Sequence, residues 1–180
     1  MGDRTEVRFG GSGGQGIVLA AKILGKAAVL DGRNALQTQA YGAEARGSLT
    51  KSEVIISEGK IGFPAVRQSD ILVVMSQEAT DVLHENLKEK GILIVDSTNV
   101  VRVPEIKGEV LRLPITAKAK EISSDGLCAN VVMLGALVRI TGIVSTRSME
   151  EAIREGTTKG NVDANIRALK EGLRLKPAEP

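Results

Sequence analysis

Apolar and polar positions follow two different periods along the chain, and these periods separate strands from helices. Continuous apolar runs at residues 71–75 and 92–95 predict strands buried on both faces of a parallel sheet. The short segment Glu-Val-Arg-Phe at residues 6–9 predicts the first strand, and weaker strands are predicted from residue 35 and at 110–113. Residues 48–57 alternate in part, with Lys51 and Glu53 opposite Val54 and Ile56, which favours an antiparallel strand with one wetter face.

Helical patterns occupy the segments between these strands. Residues 17–30 are rich in Ala and Leu and apolar on nearly every face, which predicts a helix buried against a sheet. Residues 77–90 predict an amphipathic helix with Val82 and Leu87 inward and Gly91 as its cap. Four more helices are predicted at residues 115–122, 128–141, 149–155 (capped by Ser148) and 161–173.

This order of elements predicts an α/β fold, a Rossmann-like open sheet that is mainly parallel, with helices on both faces and one antiparallel strand. The length of 180 residues suits a single domain, which we assign to residues 1–175, with a loose tail at 176–180. Ligands of such sheets bind outside the carboxyl ends of the strands. That rule directs attention to four loops, at residues 10–16, 37–47, 76–77 and 96–99.

Composition narrows the partners. The net charge is only +2 and aromatics make up 2% of residues, which argues against a base-stacking nucleic-acid surface. With Cys128 and His84 as the single cysteine and histidine, the chain cannot form an internal disulfide or a His/Cys metal site, and it fits a reducing cytoplasm. The polar start predicts no signal peptide, and the longest apolar stretch, residues 131–140, is too short to span a membrane.

A glycine motif follows the first predicted strand. Residues 11–16 read Gly-Ser-Gly-Gly-Gln-Gly at the head of the first helix, a G-x-G-x-x-G pattern whose backbone N–H groups suit an anion such as a diphosphate. A nucleoside-triphosphate P-loop is excluded because Ile17 and Val18, rather than Lys and Ser/Thr, follow Gly16. A dinucleotide site would need an acid near residues 37–39, where none stands. A turn that only packs the strand on the helix remains an alternative.

The second loop is more specific than the glycine motif. Residues 37–48, taken together with residues 13–16 and 52–57, resemble the gamma subunits of 2-oxoacid:ferredoxin oxidoreductases, in particular the 2-oxoglutarate type. The resemblance continues at residues 69–79, 91–96 and 130–137 and so covers most of the chain.

The resemblance implies a division of labour. Alpha and beta subunits, with a delta subunit in some complexes, would hold thiamine diphosphate, Mg²⁺ and iron–sulfur clusters, decarboxylate the 2-oxoacid and pass electrons to ferredoxin. The gamma-type chain would contribute to coenzyme A binding and to assembly, with no catalytic or metal-binding residue of its own. It is expected to be cytoplasmic, to be inactive when isolated, to bind neither nucleic acid nor membrane, and to be capable of self-association.

The same resemblance supplies the candidate contacts to coenzyme A. Arg46 would make a bidentate phosphate contact, Thr38 or Ser48 would donate a hydroxyl, and Glu44 would orient Arg46 or meet another subunit; Lys51 is a weaker candidate. The full set of expected cofactor-binding residues is Gly13, Gly14, Gln15, Gly16, Thr38, Arg46, Gly47 and Ser48.

Four other residues are interpreted as structural or solvated, without a functional role. Asp96 is interpreted as a strand-end hydrogen-bonding acid, Asn130 as a structural amide, Cys128 as a small buried hydrophobe, and His84 as a solvated side chain without chemistry. Three other functions stay open: a gamma subunit for pyruvate or a branched-chain 2-oxoacid, a free-standing NADP- or nucleotide-binding protein, and a purely structural subunit.

Overall fold

The computed structural model describes residues 4–41 and 49–177, without the side chains of Tyr41 and Lys159. Within these residues the strands are β1 Arg4–Ser12, β2 Asn34–Tyr41, β3 Leu49–Ser57, β4 Ser69–Val74, β5 Leu87–Asp96 and β6 Glu109–Leu113. The α-helices are α1 Ile17–Leu30, α2 Gln77–Leu83, α3 Ile115–Ile122, α4 Ala129–Thr141, α5 Thr146–Gly156 and α6 Val162–Arg174. Single 3₁₀ turns lie at His84–Asn86 and Lys159–Asn161.

The strands form one sheet in the order β2-β3-β1-β4-β5-β6. Strands β1, β4, β5 and β6 run parallel to one another, and β3 runs antiparallel to both of its neighbours, β1 and β2. The predicted fold class is therefore confirmed, including the antiparallel strand, which the structure describes at Leu49–Ser57.

The two faces of the sheet are covered unequally. The larger hydrophobic cluster packs one face against α1, α3, α4, α5 and α6, with Phe9, Val73 and Ile94 from the sheet fully buried. The smaller cluster joins the other face to α2 and to Val100 in the segment after β5. Helices on both faces were expected, but the sequence did not indicate that one layer would be so much thinner.

One face of β3 is drier than its alternation predicted. Glu53 is 8% exposed, and its carboxylate accepts a hydrogen bond from Arg8 Nε at 2.8 Å. Arg8 also donates to the Val66 carbonyl at 2.7 Å. The chain after β3 thus crosses this face and excludes water. A buried carboxylate is tolerated here because it is paired with a guanidinium. The prediction of a solvated face was wrong for Glu53, whereas Lys51, which pairs with Glu53 at 3.2 Å, stays partly exposed.

Two predicted elements were assigned to the wrong class. Residues 37–41 are not loop but the second half of β2, since they continue an unbroken antiparallel register with β3. The helix predicted at 77–90 ends at Leu83, and residues 87–90 belong to β5. Gly91 is therefore not a helix cap; a Cβ there would lie 3.0 Å from the Asp70 carbonyl, so glycine permits close pairing with β4. Val82 is 52% exposed rather than inward.

The start of α5 also differs from the prediction. The helix begins at Thr146, and its cap is Ser145, whose hydroxyl accepts the Ser148 N–H at 3.1 Å. Ser148 does not cap the helix, because its hydroxyl donates to Asp31 at 2.6 Å. The remaining predicted helices agree with α1, α3, α4 and α6 to within a residue at each end.

Candidate functional site

The glycine motif forms the turn between β1 and α1. The strand runs through Gly10 and Gly11 to Ser12, and the helix begins at Ile17. Gly14 has φ 94° and Gly16 has φ 72°, left-handed conformations that favour glycine. Gly13 and Gly14 are exposed, and a Cβ on Gly14 would meet nothing within 4 Å. The turn therefore presents open backbone at the carboxyl end of β1.

Gln15 fastens this turn from within. Its side-chain Oε1 accepts the Ser12 N–H at 2.7 Å, and its Nε2 donates to the Met75 carbonyl at 2.9 Å. Met75 directly follows β4, so one amide joins the carboxyl ends of two adjacent parallel strands. Both the side chain of Gln15 and its backbone N–H, which donates to the Ser12 carbonyl at 3.2 Å, are engaged in shaping the turn.

Asn130 supports the other end of the turn. Its Nδ2 donates to the Gly16 carbonyl at 3.4 Å, and its side chain is so close that a Cβ on Gly16 would lie 2.8 Å from Asn130 Cγ. Asn130 is 5% exposed. Asn130 thus has a structural hydrogen bond, and Gly16 is required both for its φ angle and for this contact.

The first turn of α1 lacks the usual compensation for its positive end. Within the described residues no side chain caps the helix at Gly16, and its first turn contains no acidic residue. The leading N–H groups of a helix need partners from outside it, and they favour an anion. An uncapped helix beginning at an exposed glycine turn is a geometry that suits phosphate oxygens.

A cavity of about 370 Å³ lies against this first turn. Leu19 of α1, Cys128 and Asn130 at the start of α4, and Asn161 and Asn165 at the start of α6 contribute to its wall. Its lining mixes aliphatic groups with amides, hydroxyls and the carboxylate of Asp125, so the cavity suits a hydrogen-bonding part of a ligand that carries no negative charge. Cys128 is 6% exposed, in agreement with its interpretation as a small buried hydrophobe.

The second predicted loop is only partly within the described residues. Arg46, Gly47 and Ser48, and also Glu44, lie outside them. The residues on either side are placed clearly: Leu49 pairs with Ser12, and Tyr41 pairs with Thr50. The residues that flank the 42–48 segment therefore lie at the end of the sheet where β1 leads into the glycine turn.

Thr38 lies away from this edge. It stands in β2 opposite Glu53, to which its hydroxyl donates at 3.4 Å, and Glu53 in turn stands opposite Arg8 of β1. Arg8 precedes Ser12 by four residues, which along a strand corresponds to about 13 Å. The structure thus brings Gly13, Gly14, Gln15 and Gly16 together but does not bring Thr38 to the turn.

The other two loops at this edge are occupied by internal hydrogen bonds. Ser76 caps α2 by accepting the Ala79 N–H, and Gln77 holds the segment after β5 through the N–H groups of Val101 and Arg102. These contacts explain how α2 and the 97–106 segment are fixed together.

Asp96 is fully buried and accepts from the Asn99 amide at 2.8 Å and from the Thr116 hydroxyl at 2.5 Å. It also accepts the Thr116 N–H, and so caps the start of α3 from the end of β5. Its interpretation as a strand-end hydrogen-bonding acid is confirmed.

The clamps formed by Gln15 and Asn130 and the bond from Asp96 to Thr116 were not found from the sequence. Gln15 and Met75 are separated by 60 residues and Asn130 and Gly16 by 114, so no local pattern links them.

Among residues 4–41 and 49–177, no three His, Cys, Asp or Glu side chains are grouped to hold a metal ion. In the same part of the chain, no helix has the length and hydropathy needed to cross a bilayer.

Comparison with known proteins places the chain among enzyme subunits. Residues 6–175 match the family model described as pyruvate ferredoxin/flavodoxin oxidoreductase. The chain is 47% identical over 175 residues to the 2-oxoglutarate synthase subunit KorC of Methanocaldococcus jannaschii, covering 96% of this chain and 94% of the relative. It is similar, with a TM-score of 0.85 and 40% identity, to the keto/oxoacid ferredoxin oxidoreductase gamma subunit of Geobacter sulfurreducens, with 94% and 96% of the two chains covered.

A more distant structure shares the fold. The 2-oxoglutarate:ferredoxin oxidoreductase of Magnetococcus marinus, solved with 2-oxoglutarate, coenzyme A and succinyl-CoA bound, matches with a TM-score of 0.86 at 20% identity. The match covers 100% of this chain but 33% of that chain. In that protein the same fold is thus one part of a longer polypeptide.

Proposed function

The chain belongs to the pyruvate ferredoxin/flavodoxin oxidoreductase family as a gamma-type subunit, and from this premise we propose that it holds coenzyme A in a 2-oxoglutarate:ferredoxin oxidoreductase. The overall reaction converts the 2-oxoacid to an acyl-CoA and CO₂ while ferredoxin is reduced. In this proposal the chain binds and orients the acyl acceptor, and partner subunits carry out the redox chemistry.

The observation that carries the proposal is the uncapped start of α1 at an open glycine turn. Gly13 and Gly14 are exposed, the first turn of α1 has neither a capping side chain nor an acid among the described residues, and Gln15 holds the turn in shape. Coenzyme A is rich in phosphate, and the diphosphate matches this cluster of N–H groups. The adjoining cavity would take an uncharged part of the same molecule.

Arg46 is proposed as the second phosphate contact. Leu49, the first described residue after its segment, pairs with Ser12 next to the turn. A guanidinium would add a charged, planar contact that the backbone turn lacks. Gly47 and Ser48 belong to the same proposal as neighbours of Arg46, and Thr38 stays in it only as a weaker hydroxyl donor, because it lies within β2.

The redox cofactors are assigned to other subunits. Thiamine diphosphate with Mg²⁺ supplies the decarboxylation, and iron–sulfur clusters supply electron transfer to ferredoxin. An iron–sulfur cluster needs about four thiolates, and this chain has Cys128 alone. Alpha and beta subunits, with or without a delta subunit, are therefore the proposed partners, in a cytoplasmic complex that binds neither membrane nor nucleic acid.

The choice of 2-oxoglutarate is supported by the relative at 47% identity that carries this name. The substrate itself is bound by the partners in this proposal, so this chain's residues do not select it. Pyruvate and branched-chain 2-oxoacids are the competing substrates, and substrate preference of the assembled complex decides among them.

The proposed anion site is tested by placing a charge in the first turn of α1. Leu19 is 39% exposed, and Leu19→Glu and Leu19→Gln differ only in charge. An acid there favours the helix but repels a diphosphate. We expect the Glu variant, in the assembled enzyme, to raise the KM for coenzyme A about five- to tenfold over the Gln variant, while the thermal midpoint of the isolated Glu variant is no lower.

Arg46→Ala gives the second arm of the test. Loss of a charged hydrogen bond would cost about 1.5 to 3 kcal/mol of coenzyme A binding, and decarboxylation before acyl transfer should survive. Loss of decarboxylation with an unchanged coenzyme A requirement would contradict the proposal. Equal KM values for the two Leu19 variants would do so as well, and tight NADP binding with turnover by the isolated chain would favour a free-standing enzyme.

A further inference from the structure

Strand β2 is an outer strand of the sheet, and its free edge lacks the features that keep such edges unpaired. It is eight residues long, and its sequence, Asn-Ala-Leu-Gln-Thr-Gln-Ala-Tyr, contains no charged residue and no proline. It pairs with β3 from Asn34 to Tyr41 in an unbroken register, without a bulge. In an antiparallel pair, every second residue directs its N–H and C=O groups away from the partner.

The opposite edge of the same sheet is protected. Strand β6 has five residues, including Glu109 and Arg112, and Pro114 follows it directly. Arg112 also reaches back to the Val100 carbonyl at 2.8 Å, which ties this edge to the preceding segment. Short length, charge and a nearby proline are the usual means by which proteins keep edges unpaired. The two edges therefore differ in kind.

The residues in and around β2 are also more exposed than those of the neighbouring strands. No residue of β2 whose exposure is described is fully buried, whereas most residues of β1, β3 and β4 are. Val29 and Leu30, at the end of α1 and one short turn before β2, are 57% and 43% exposed. Among the described residues, no other strand pairs with the outer edge of β2.

We propose that an extended strand of a partner subunit pairs with the free edge of β2 and continues the sheet in the assembled enzyme. A neutral edge of this length recognises the backbone of another strand rather than its charge. The relatives at 47% and 40% identity are subunits by name, so partner polypeptides are available to supply such a strand.

This pairing would link assembly to the proposed coenzyme A site. Strand β2 ends at Tyr41, immediately before the segment that contains Arg46, and Tyr41 lies at the same edge of the sheet as the glycine turn. A partner strand that pairs with β2 along its whole length would reach the end of the sheet where the glycine turn lies. The inference depends on membership of a multi-subunit enzyme and goes beyond the proposed coenzyme A role.

Hydrogen exchange measured by mass spectrometry tests the pairing in the wild-type protein. We expect the outward N–H groups of β2 to exchange about 100-fold more slowly in the purified complex than in the isolated chain, while β6 changes little. Unchanged exchange of β2 on assembly would overturn the inference. Protection of β2 already in an isolated chain that sediments as a dimer would overturn it too, since the occupant would then be a second copy.

A charge on each edge provides the matched variants. Gln39 of β2 is exposed, as is Val110 of β6, which is 38% exposed. Gln39→Lys should weaken association with the partner subunits about tenfold or more, and Val110→Lys should leave it unchanged. Normal association of Gln39→Lys would count against the inference. Coenzyme A titrations are read separately, so a failed coenzyme A role with a protected β2 leaves the inference standing.

Discussion

At the scale of single residues, Gln15 shows how a motif can locate a turn without revealing what its side chain contacts. The glycine spacing placed Gln15 among residues expected to contact a ligand. Its side-chain amide accepts the Ser12 N–H and donates to the carbonyl of Met75, which follows a different strand. Because Met75 is 60 residues away, only the folded sheet brings the two together.

Gln15→Ala tests this clamp. Removal of the amide leaves the Ser12 N–H and the Met75 carbonyl without their partner, so we expect the free energy of unfolding to fall by about 1 to 2 kcal/mol. Denaturant unfolding of the isolated chain measures the loss. Gln68 is exposed, and Gln68→Ala should stay within about 0.5 kcal/mol of the wild type. A Gln15→Ala variant as stable as Gln68→Ala would show that the clamp contributes nothing.

At the scale of elements, Asp31 joins the end of α1 to the start of α5. Its carboxylate accepts the Ser145 N–H and the Ser145 hydroxyl, both at 2.7 Å, and the Ser148 hydroxyl at 2.6 Å. Partial burial alone would raise the pKa of Asp31, but the hydrogen bonds from Ser148 and Ser145, together with Arg33, outweigh it and leave the pKa below its ordinary value.

Because the pKa of Asp31 is lower in the folded protein than in the unfolded chain, its hydrogen bonds stabilise the protein at pH values above the unfolded-state pKa of Asp31. This stabilisation is lost as the pH falls. At pH 7 we expect Asp31→Asn to lower the free energy of unfolding by about 1 to 2 kcal/mol. The difference from the wild type should shrink below about pH 4, where the aspartate protonates. Thermal unfolding from pH 7 to pH 3 measures it, with exposed Glu151→Gln as the control. A difference that does not change with pH would contradict the assignment.

Helices α4 and α6 cross at two glycines. A Cβ on Gly135 would lie 2.9 Å from the Cα of Gly172, and a Cβ on Gly172 would collide with the Val132 carbonyl oxygen. The patterns of both helices were recognised from sequence, but this contact was not, because a glycine inside a helix does not reveal what it packs against. The crossing depends on the missing side chains.

Gly172→Ala should therefore destabilise the protein by about 1 to 3 kcal/mol, despite the better helix propensity of alanine. Gly25 is the matched control: it is buried in the middle of α1, but a Cβ there would meet its nearest neighbour at 3.9 Å. We expect Gly25→Ala to be neutral or to stabilise by up to about 1 kcal/mol. Equal effects of the two substitutions, measured by denaturant unfolding, would show that the crossing is not tight.

At the scale of the whole molecule, the alternation of strands and helices predicted the sheet, its mainly parallel order and the antiparallel β3. Local pattern was enough because those strands are continuous apolar runs or partly alternate. It failed at residues 77–90, where a helical period continues into β5, and at Glu53, whose burial depends on Arg8 and on the chain passing Val66. Failures fall where distant segments meet.

The candidate site was likewise predictable from sequence only in part. Its location at the carboxyl end of β1 follows from the glycine spacing and from the general rule for parallel sheets. The support from Gln15 and Asn130, and the position of Thr38 within β2, depend on pairings across the sheet and could not be derived from sequence. For Arg46, Gly47 and Ser48 the assignment stays a prediction.

The direction of β3 has a consequence for how the site can vary. Because β3 runs antiparallel to β1 through nine residue pairs, the glycine turn, which follows β1, and the second loop, which leads into β3, are attached to neighbouring strands bonded along their whole length. Their anchor points cannot slide or spread apart without breaking the ladder. Adaptation to a different acyl carrier would then come from insertions, deletions or substitutions between residues 42 and 48, and the foundations on either side would tolerate them without rearrangement.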